Sequence, residues 1–163
     1  NFKGEQVAKP SPKPAQDPLL TQATWELLWL ILHHPEYGYQ LSEIIDYEWI
    51  NINSTTGKLL SRLLAELREG MIDSVDQIEN IIDSVEERQL LADIHSRELS
   101  VEEPTKQIVF CLERLRRKFV EAQIKNLEQK IINSDPDTQI RLMRERKEIL
   151  NKVSHPLELE LQR

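Results

Sequence analysis

The scarcity of glycine and proline constrains the fold of this chain more than any other feature of its sequence. The 163 residues contain four glycines, and only four of the eight prolines lie after position 18. An all-β domain needs many turns, and turns draw heavily on these two residue types. Hydrophobic residues make up 39% of the chain and charged residues 30%, a balance typical of a well-solvated helical protein. The sequence therefore predicts an all-α fold.

Residues 1–18 differ in composition from the rest of the chain. Pro10, Pro12, Pro14 and Pro18 lie here among Lys, Ser, Gln and Ala. Such a stretch has little apolar surface to bury, so we predict a disordered, Pro-rich linker. Because a linker connects domains, and because the chain begins with Asn1, we expect it to be part of a longer protein.

Apolar residues recur at helical spacing through most of the remaining chain. Thr21 or Thr24 is expected to cap the first helix, and Gly70 is expected to end the third. With proline and capping residues as boundaries, we predict helices over residues 19–33, 37–45, 55–69, 75–82, 85–97, 104–133 and 136–153.

The helix predicted from Pro104 carries two different apolar stripes. The first stripe is Ile108, Leu112, Leu115, Phe119 and Ala122, and the second is Val120, Ile124, Leu127 and Ile131. At 100° per residue the two stripes are centred about 130° apart, so each half of this helix should face a different partner. The short turn at 133–137 then makes the last helix an antiparallel neighbour. We predict a helical bundle (19–115), a helical hairpin (116–153) and a tail (154–163).

The last helix also carries two apolar sides. We expect Ile140, Met143 and Leu150 to pack against the long helix. Leu142, Ile149 and Val153 would then lie on a second side, which a two-helix hairpin cannot cover by itself. Such a face either folds back on the bundle or binds another protein, and we favour a protein partner.

The charges are unevenly distributed. Residues 1–103 contain 8 Lys/Arg and 19 Asp/Glu, whereas residues 104–153 contain 12 and 7. The acidic part argues against nucleic-acid binding. No apolar run is long enough to cross a membrane. The single cysteine, Cys111, rules out an internal disulfide framework and suits a cytoplasmic protein.

Residue patterns that signal catalysis are missing. The adjacent His33 and His34 point about 100° apart on a helix, and no cysteine accompanies His95 or His155 at zinc-binding spacing. Cys111 lies between two apolar residues and is expected to be a buried or half-buried side chain and not a nucleophile. The acidic stretch 66–103 could bind a divalent cation, but a solvated helix face is the favoured interpretation. We predict no enzymatic activity, metal or cofactor.

The layout resembles the C-terminal, helicase-binding domain of bacterial DNA primase over about residues 19–153. The run from Trp25 to Glu36, which ends in His-His-Pro-Glu, is similar to that family's opening helix, and the Leu63–Leu67 segment and the basic long helix also fit. The resemblance implies that this fragment lacks the catalytic domains and recruits primase to the N-terminal domains of the hexameric replicative helicase during DNA replication. It places the contacts around Ile131–Leu150. The candidate partner-binding residues are Ile131, Ile132, Arg141, Leu142, Arg144, Lys147, Ile149, Leu150 and Val153.

Two other functions remain open. The run Tyr37–Ile45 resembles part of the PadR-like winged-helix transcription regulators, in which a DNA-reading helix and a β-wing would follow. The corresponding helix here has Lys58, Arg62 and Arg68 offset by two glutamates, which is a weak basic face for DNA binding. A scaffold that self-associates through the hairpin is the third possibility.

Overall fold

A computed structural model describes residues 17–157 of the chain, and this part is all-α, as predicted, with no strand. The N-terminal linker predicted over 1–18 falls almost wholly outside the described residues. The six α-helices are α1 (Pro18–His33), α2 (Gly38–Ile44), α3 (Thr55–Glu69), α4 (Val85–Ser96), α5 (Pro104–Ile132) and α6 (Pro136–Val153). Short 3-10 helices cover Pro35–Tyr37, Tyr47–Trp49 and Val75–Ile81.

Side-chain caps set several helix starts. Ser54 Oγ accepts from Gly57 N at 3.0 Å, and Ser84 Oγ accepts from Glu87 N at 3.1 Å. The predicted cap of α1 is wrong, because Asp17 caps that helix by accepting from Leu19 N at 3.0 Å. The hydroxyl of Thr24 instead donates back to the carbonyl of Leu20, a common alternative for threonine inside a helix. The helix consequently takes in Pro18, which favours the first turn.

The core is built around α1, α3 and the first part of α5. Leu27, Leu28, Leu30 and Ile31 are fully buried, which explains why α1 is apolar on most of its circumference. The α3 leucines that pack against them are equally inaccessible: Leu59, Leu60, Leu63 and Leu64. The indole nitrogen of Trp29 donates to the carbonyl of Arg97 at 2.8 Å, which ties α1 to the residue that follows α4.

The segment predicted as a helix over 75–82 is a 3-10 helix that ends at Ile81. Val75 and Ile78 are buried and Ile81 is partly buried, so the apolar residues recur every third position. That period aligns side chains on one side of a 3-10 helix, which has three residues per turn. The core therefore selects the tighter helix for this segment.

Helix α5 changes neighbours along its length. Ile108, Cys111, Leu112 and Leu115 belong to the core, and among residues 17–157 the buried core contains no residue of α5 beyond Leu115 and none of α6. The later part of α5 packs against α6 instead. Three contacts show that the two helices run antiparallel: Arg116 Nη2 to His155 O at 3.0 Å, Glu128 Oε1 to Arg146 Nη2 at 3.2 Å, and Gln139 Nε2 to Ile131 O at 2.8 Å.

The segment after α6 returns to the body of the protein. Arg116 Nη2 also lies 3.5 Å from the carbonyl of Val153, and Leu157 packs partly buried against the core. The beginning of the predicted tail is thus held against α5 and the core, and residues 158–163 lie outside the described part.

Candidate functional site

The polar side chains of the core serve its structure. Glu87 is only 2% exposed, and its carboxylate is bound by the guanidinium of Arg62 at 2.9 and 3.0 Å. Hydrogen bonding to Glu87, reinforced by its charge, raises the pKa of Arg62. Asp83 lies 3.4 Å from the same guanidinium. The carboxylates of Asp83 and Glu87 in the acidic stretch therefore interact with an arginine. Residues 17–157 contain no cluster of three His, Cys, Asp or Glu that could hold a metal ion.

Cys111 is buried, as predicted. Its Sγ lies 3.4 Å from Glu26 Oε2, and 1% of the residue is exposed. Burial, together with the negative charge of Glu26, raises the pKa of the thiol to about 12. A nucleophilic cysteine needs the opposite shift, so this thiol is a packing group.

The histidines at the end of α1 are also part of local structure. His33 stacks on Trp29 with ring centroids 4.0 Å apart, and its Nδ1 lies 2.9 Å from the Trp29 carbonyl. His34 lies 3.9 Å from Glu36. Across the described residues no helix has the length and apolar character that a membrane span requires.

The prediction of which side of α6 packs on α5 is wrong. Leu142 is buried, and Ile149 and Val153 are half-buried. Met143 and Ile140, expected in the contact, are instead 58% and 52% exposed. Both stripes have helical spacing, so spacing could not choose between them. The chosen side also carries Gln139 and Arg146, which hydrogen-bond to α5 and add to the burial of Leu142.

The nine predicted partner-binding residues consequently fall into two groups. Leu142, Ile131, Ile149 and Val153 line the contact between α5 and α6 and are buried or half-buried. The exposed members are Ile132, Arg141, Arg144, Lys147 and Leu150. Ile140 and Met143 are surface residues that helical spacing did not reveal, because the same spacing placed both in the contact with α5.

The outward side of α6 combines an apolar side chain with basic ones. Ile140, Arg144 and Lys147 lie on successive turns on the side away from α5. A shallow depression of about 350 Å³ on this side is lined by Asp137, Ile140, Arg141, Arg144, Glu145 and Glu148. We call these six residues together with Lys147 the outer α6 face. It offers one apolar anchor, three cations and three carboxylates at the end of the molecule remote from the core.

Two grooves run beside the α5–α6 contact. The first, of about 350 Å³, is walled by Arg117, Val120, Glu121, Ile124, Lys125, Glu128, Leu150 and Val153. The second, of about 600 Å³, lies on the other side and is mostly polar, lined by Asn126, Gln129, Lys130, Asn133, Ser134, Thr138, Arg141, Leu142 and Glu145. Of the two, the first has an apolar floor, formed by Val120, Ile124, Leu150 and Val153.

Comparisons of this chain with protein-family models, with curated proteins and with solved structures found no match.

Proposed function

We propose that this chain is the helicase-binding domain of a bacterial DNA primase. In this role it catalyses nothing itself and recruits its parent protein to the N-terminal domains of the cytoplasmic, hexameric replicative helicase. The resemblance of the Trp25–Glu36 run and of the helix order over residues 19–153 supports the proposal. Residues 19–115 would be the helical bundle of that family, and residues 116–153 its helical hairpin.

The outer α6 face is the observation that carries the proposal. Ile140 is 52% exposed, and Arg144 and Lys147 lie on the next turns of the same helix face. An apolar anchor that inserts into a pocket, surrounded by charges that steer and orient the partner, is a common design of helical recognition surfaces. The face lies on the helix that does not contribute to the core, so a partner can reach it without disturbing the core.

The winged-helix alternative is less well supported by the same residues. No strand follows Gly70 within the described part of the chain, where a β-wing would be needed. In α3, the helix that would read DNA, Arg62 is bound to Glu87 and Arg68 stacks on the ring of Tyr47 at 4.7 Å. Two of its three cations are thus engaged within the protein, and a DNA-reading helix needs such cations on its surface.

The proposal is tested by calorimetric titration of the full chain into the helicase N-terminal domain from the same organism. We expect saturable binding that Ile140→Asp weakens at least about tenfold, because a charge replaces the anchor. Ile52→Asp is the matched control, since Ile52 is 58% exposed and lies before α3. It should leave the affinity unchanged.

Two outcomes would contradict the proposal. One is the absence of binding by a chain whose circular dichroism shows intact helices. The other is an equal loss of affinity in both variants, which would mean that the outer α6 face is not the contact.

A further inference from the structure

One side of α5 points away from the core and is exposed at most of its positions, and Glu128 on this side lies 3.2 Å from Arg146 of α6. Phe110, Arg117, Glu121, Lys125, Glu128 and Ile132 follow one another along it at intervals of three, four or seven residues. Phe110 is 48% exposed and Ile132 is 77% exposed, so both ends of this row are apolar. We call these six residues the α5 outer row. Its four charged members also wall the apolar-floored groove beside Leu150: Arg117, Glu121, Lys125 and Glu128.

The order of charges in this row is complementary to its own reverse. From the N-terminal end the charges run positive, negative, positive, negative at Arg117, Glu121, Lys125 and Glu128. Reading the row from the other end inverts every sign. A second α5 laid antiparallel therefore places Arg117 opposite Glu128 of the second copy and Glu121 opposite Lys125 of the second copy. Two-fold symmetry repeats each pair, which gives four opposite-charge contacts and no like-charge contact within the row.

The apolar residues fit the same antiparallel alignment. It brings Ile132 to within one helical turn of Phe110 of the second copy. Ile132 of each copy therefore covers Phe110 of the other. On α6, Met143 and Leu150 lie two turns apart on one side, and Leu150 borders the groove. The axis that relates the two α5 helices brings Met143 near Leu150 of the second copy. Val120 and Ile124 then lie close to the axis, where the groove is covered.

We propose that the α5 outer row, with the adjoining groove, binds a second copy of this chain in an antiparallel, two-fold symmetric dimer. The occupant is a second copy because an identical row laid antiparallel can pair all four charges at once. Glu121 and Glu128 would exchange their present partners, Lys118 and Arg146, for residues of the second copy. The contact is about one helix pair wide, which belongs to the class of small, reversible interfaces. This inference does not depend on the helicase proposal, since it is argued from the charges of α5 and not from the outer α6 face, although Lys147 of that face lies between Met143 and Leu150.

The test is the mass of the full chain by sedimentation equilibrium at rising concentration. We expect the wild-type mass to rise from 19.1 kDa towards twice that value. Glu121→Lys and Lys125→Glu should each raise the dissociation constant by about tenfold or more, because each turns two symmetric attractions into repulsions. The double variant Glu121→Lys/Lys125→Glu should associate like the wild type, because it restores both pairs with the signs exchanged.

The mass of an equimolar mixture of the two single variants is the most specific test of the proposed charge pairs. The single variants should associate with each other in an equimolar mixture, although each alone stays at the mass of one chain, because all four charges at the axis are then complementary. Lys58→Glu changes the net charge as Lys125→Glu does, but at an exposed site on α3, and should not alter association. A wild-type chain that stays at 19.1 kDa throughout overturns the proposal. Single variants as dimeric as the wild type, or a double variant that fails to recover, overturn it equally.

Discussion

Arg62 in α3 grips the carboxylate of Glu87 in α4 with both terminal nitrogens, at 3.0 and 2.9 Å. Nη1 of the same guanidinium donates to the carbonyl of Ile81 at 2.8 Å. Glu87 Oε2 in turn accepts from the backbone N–H of Asp83 at 3.2 Å. One arginine thereby joins α3, the end of the 3-10 helix and the start of α4, in a protein whose other inter-helix contacts are mainly apolar.

The first prediction concerns this pair. Glu87→Gln should lower the free energy of unfolding by about 2 kcal/mol, because it leaves the half-buried guanidinium of Arg62 with only the exposed carboxylate of Asp83 as a counter-charge. Asp83→Asn is the control, since the Asp83 side chain is 70% exposed, and it should cost less than about 0.5 kcal/mol. Urea unfolding followed by circular dichroism measures both. Equal effects of the two variants would show that Glu87 is not the essential partner.

The second prediction concerns the reactivity of Cys111. With its pKa raised to about 12, the thiol carries very little thiolate at pH 8, so we expect labelling by a thiol reagent to be about a thousandfold slower than in the unfolded chain. Adding urea beyond the unfolding midpoint should restore the fast rate. Glu26→Gln should speed native-state labelling, because it removes the nearby negative charge. Rapid labelling of the folded wild type would contradict the burial of this residue.

The third prediction follows from the same shift in pKa. The ordinary pKa of the thiol is 9.0, so the folded state holds this proton more tightly than the unfolded chain does. The resulting stabilisation is complete below pH 9 and is lost as the pH rises towards 12. We expect the stability advantage of the wild type over Cys111→Ala to shrink by about 2 kcal/mol between pH 8 and pH 10.5. Urea unfolding of both proteins at the two pH values measures it, and a constant difference would contradict the shift.

The fourth prediction tests the orientation of α6. Leu142→Ala should cost about 2 kcal/mol, because it opens a cavity in the contact between α5 and α6. Ile140→Ala should change the stability by no more than about 0.5 kcal/mol, since Ile140 points to solvent. Thermal unfolding of both variants decides the matter. The reverse order of effects would restore the face assignment predicted from the sequence.

The fifth prediction concerns two glycines. A Cβ on Gly57 would overlap the carbonyl oxygen of Asn51, so Gly57→Ala should cost about 3 kcal/mol despite the better helix propensity of alanine. Gly70 ends α3 with φ of 73°, and nothing lies near the position of its Cβ. Gly70→Ala should therefore cost only about 1 kcal/mol, from backbone strain alone. Chemical unfolding of the two variants measures the difference.

Most helix boundaries could be predicted because they are set by residues with strong backbone preferences. Pro104 and Pro136 begin α5 and α6, and Gly70 ends α3, as their backbone preferences indicate. The cap of α1 was missed because two threonines offered plausible hydroxyls, whereas Asp17, inside the predicted linker, was better placed. Local sequence could not decide between these candidates.

The candidate surface was harder to predict for a different reason. Helix α6 has two apolar stripes of equal spacing, and the choice between them depends on what α5 offers opposite. With the Leu142 side facing α5, Gln139 donates a hydrogen bond to the carbonyl of Ile131, and Arg146 donates one to the carboxylate of Glu128. These partners lie 8 and 18 positions away in the chain, and helical periodicity contains no information about them.

Helix α5 begins in the core and ends at the far tip without interruption. From Leu115 to Ile132 it extends about 26 Å beyond the last core residue, so it behaves mechanically as a stiff arm. A rotation of about 10° at its base would sweep the tip through about 4 Å. A small change in packing around Ile108 and Leu112 would thus displace Ile132 by a much larger distance. A force applied at the tip would, in the same way, exert a large torque on the core.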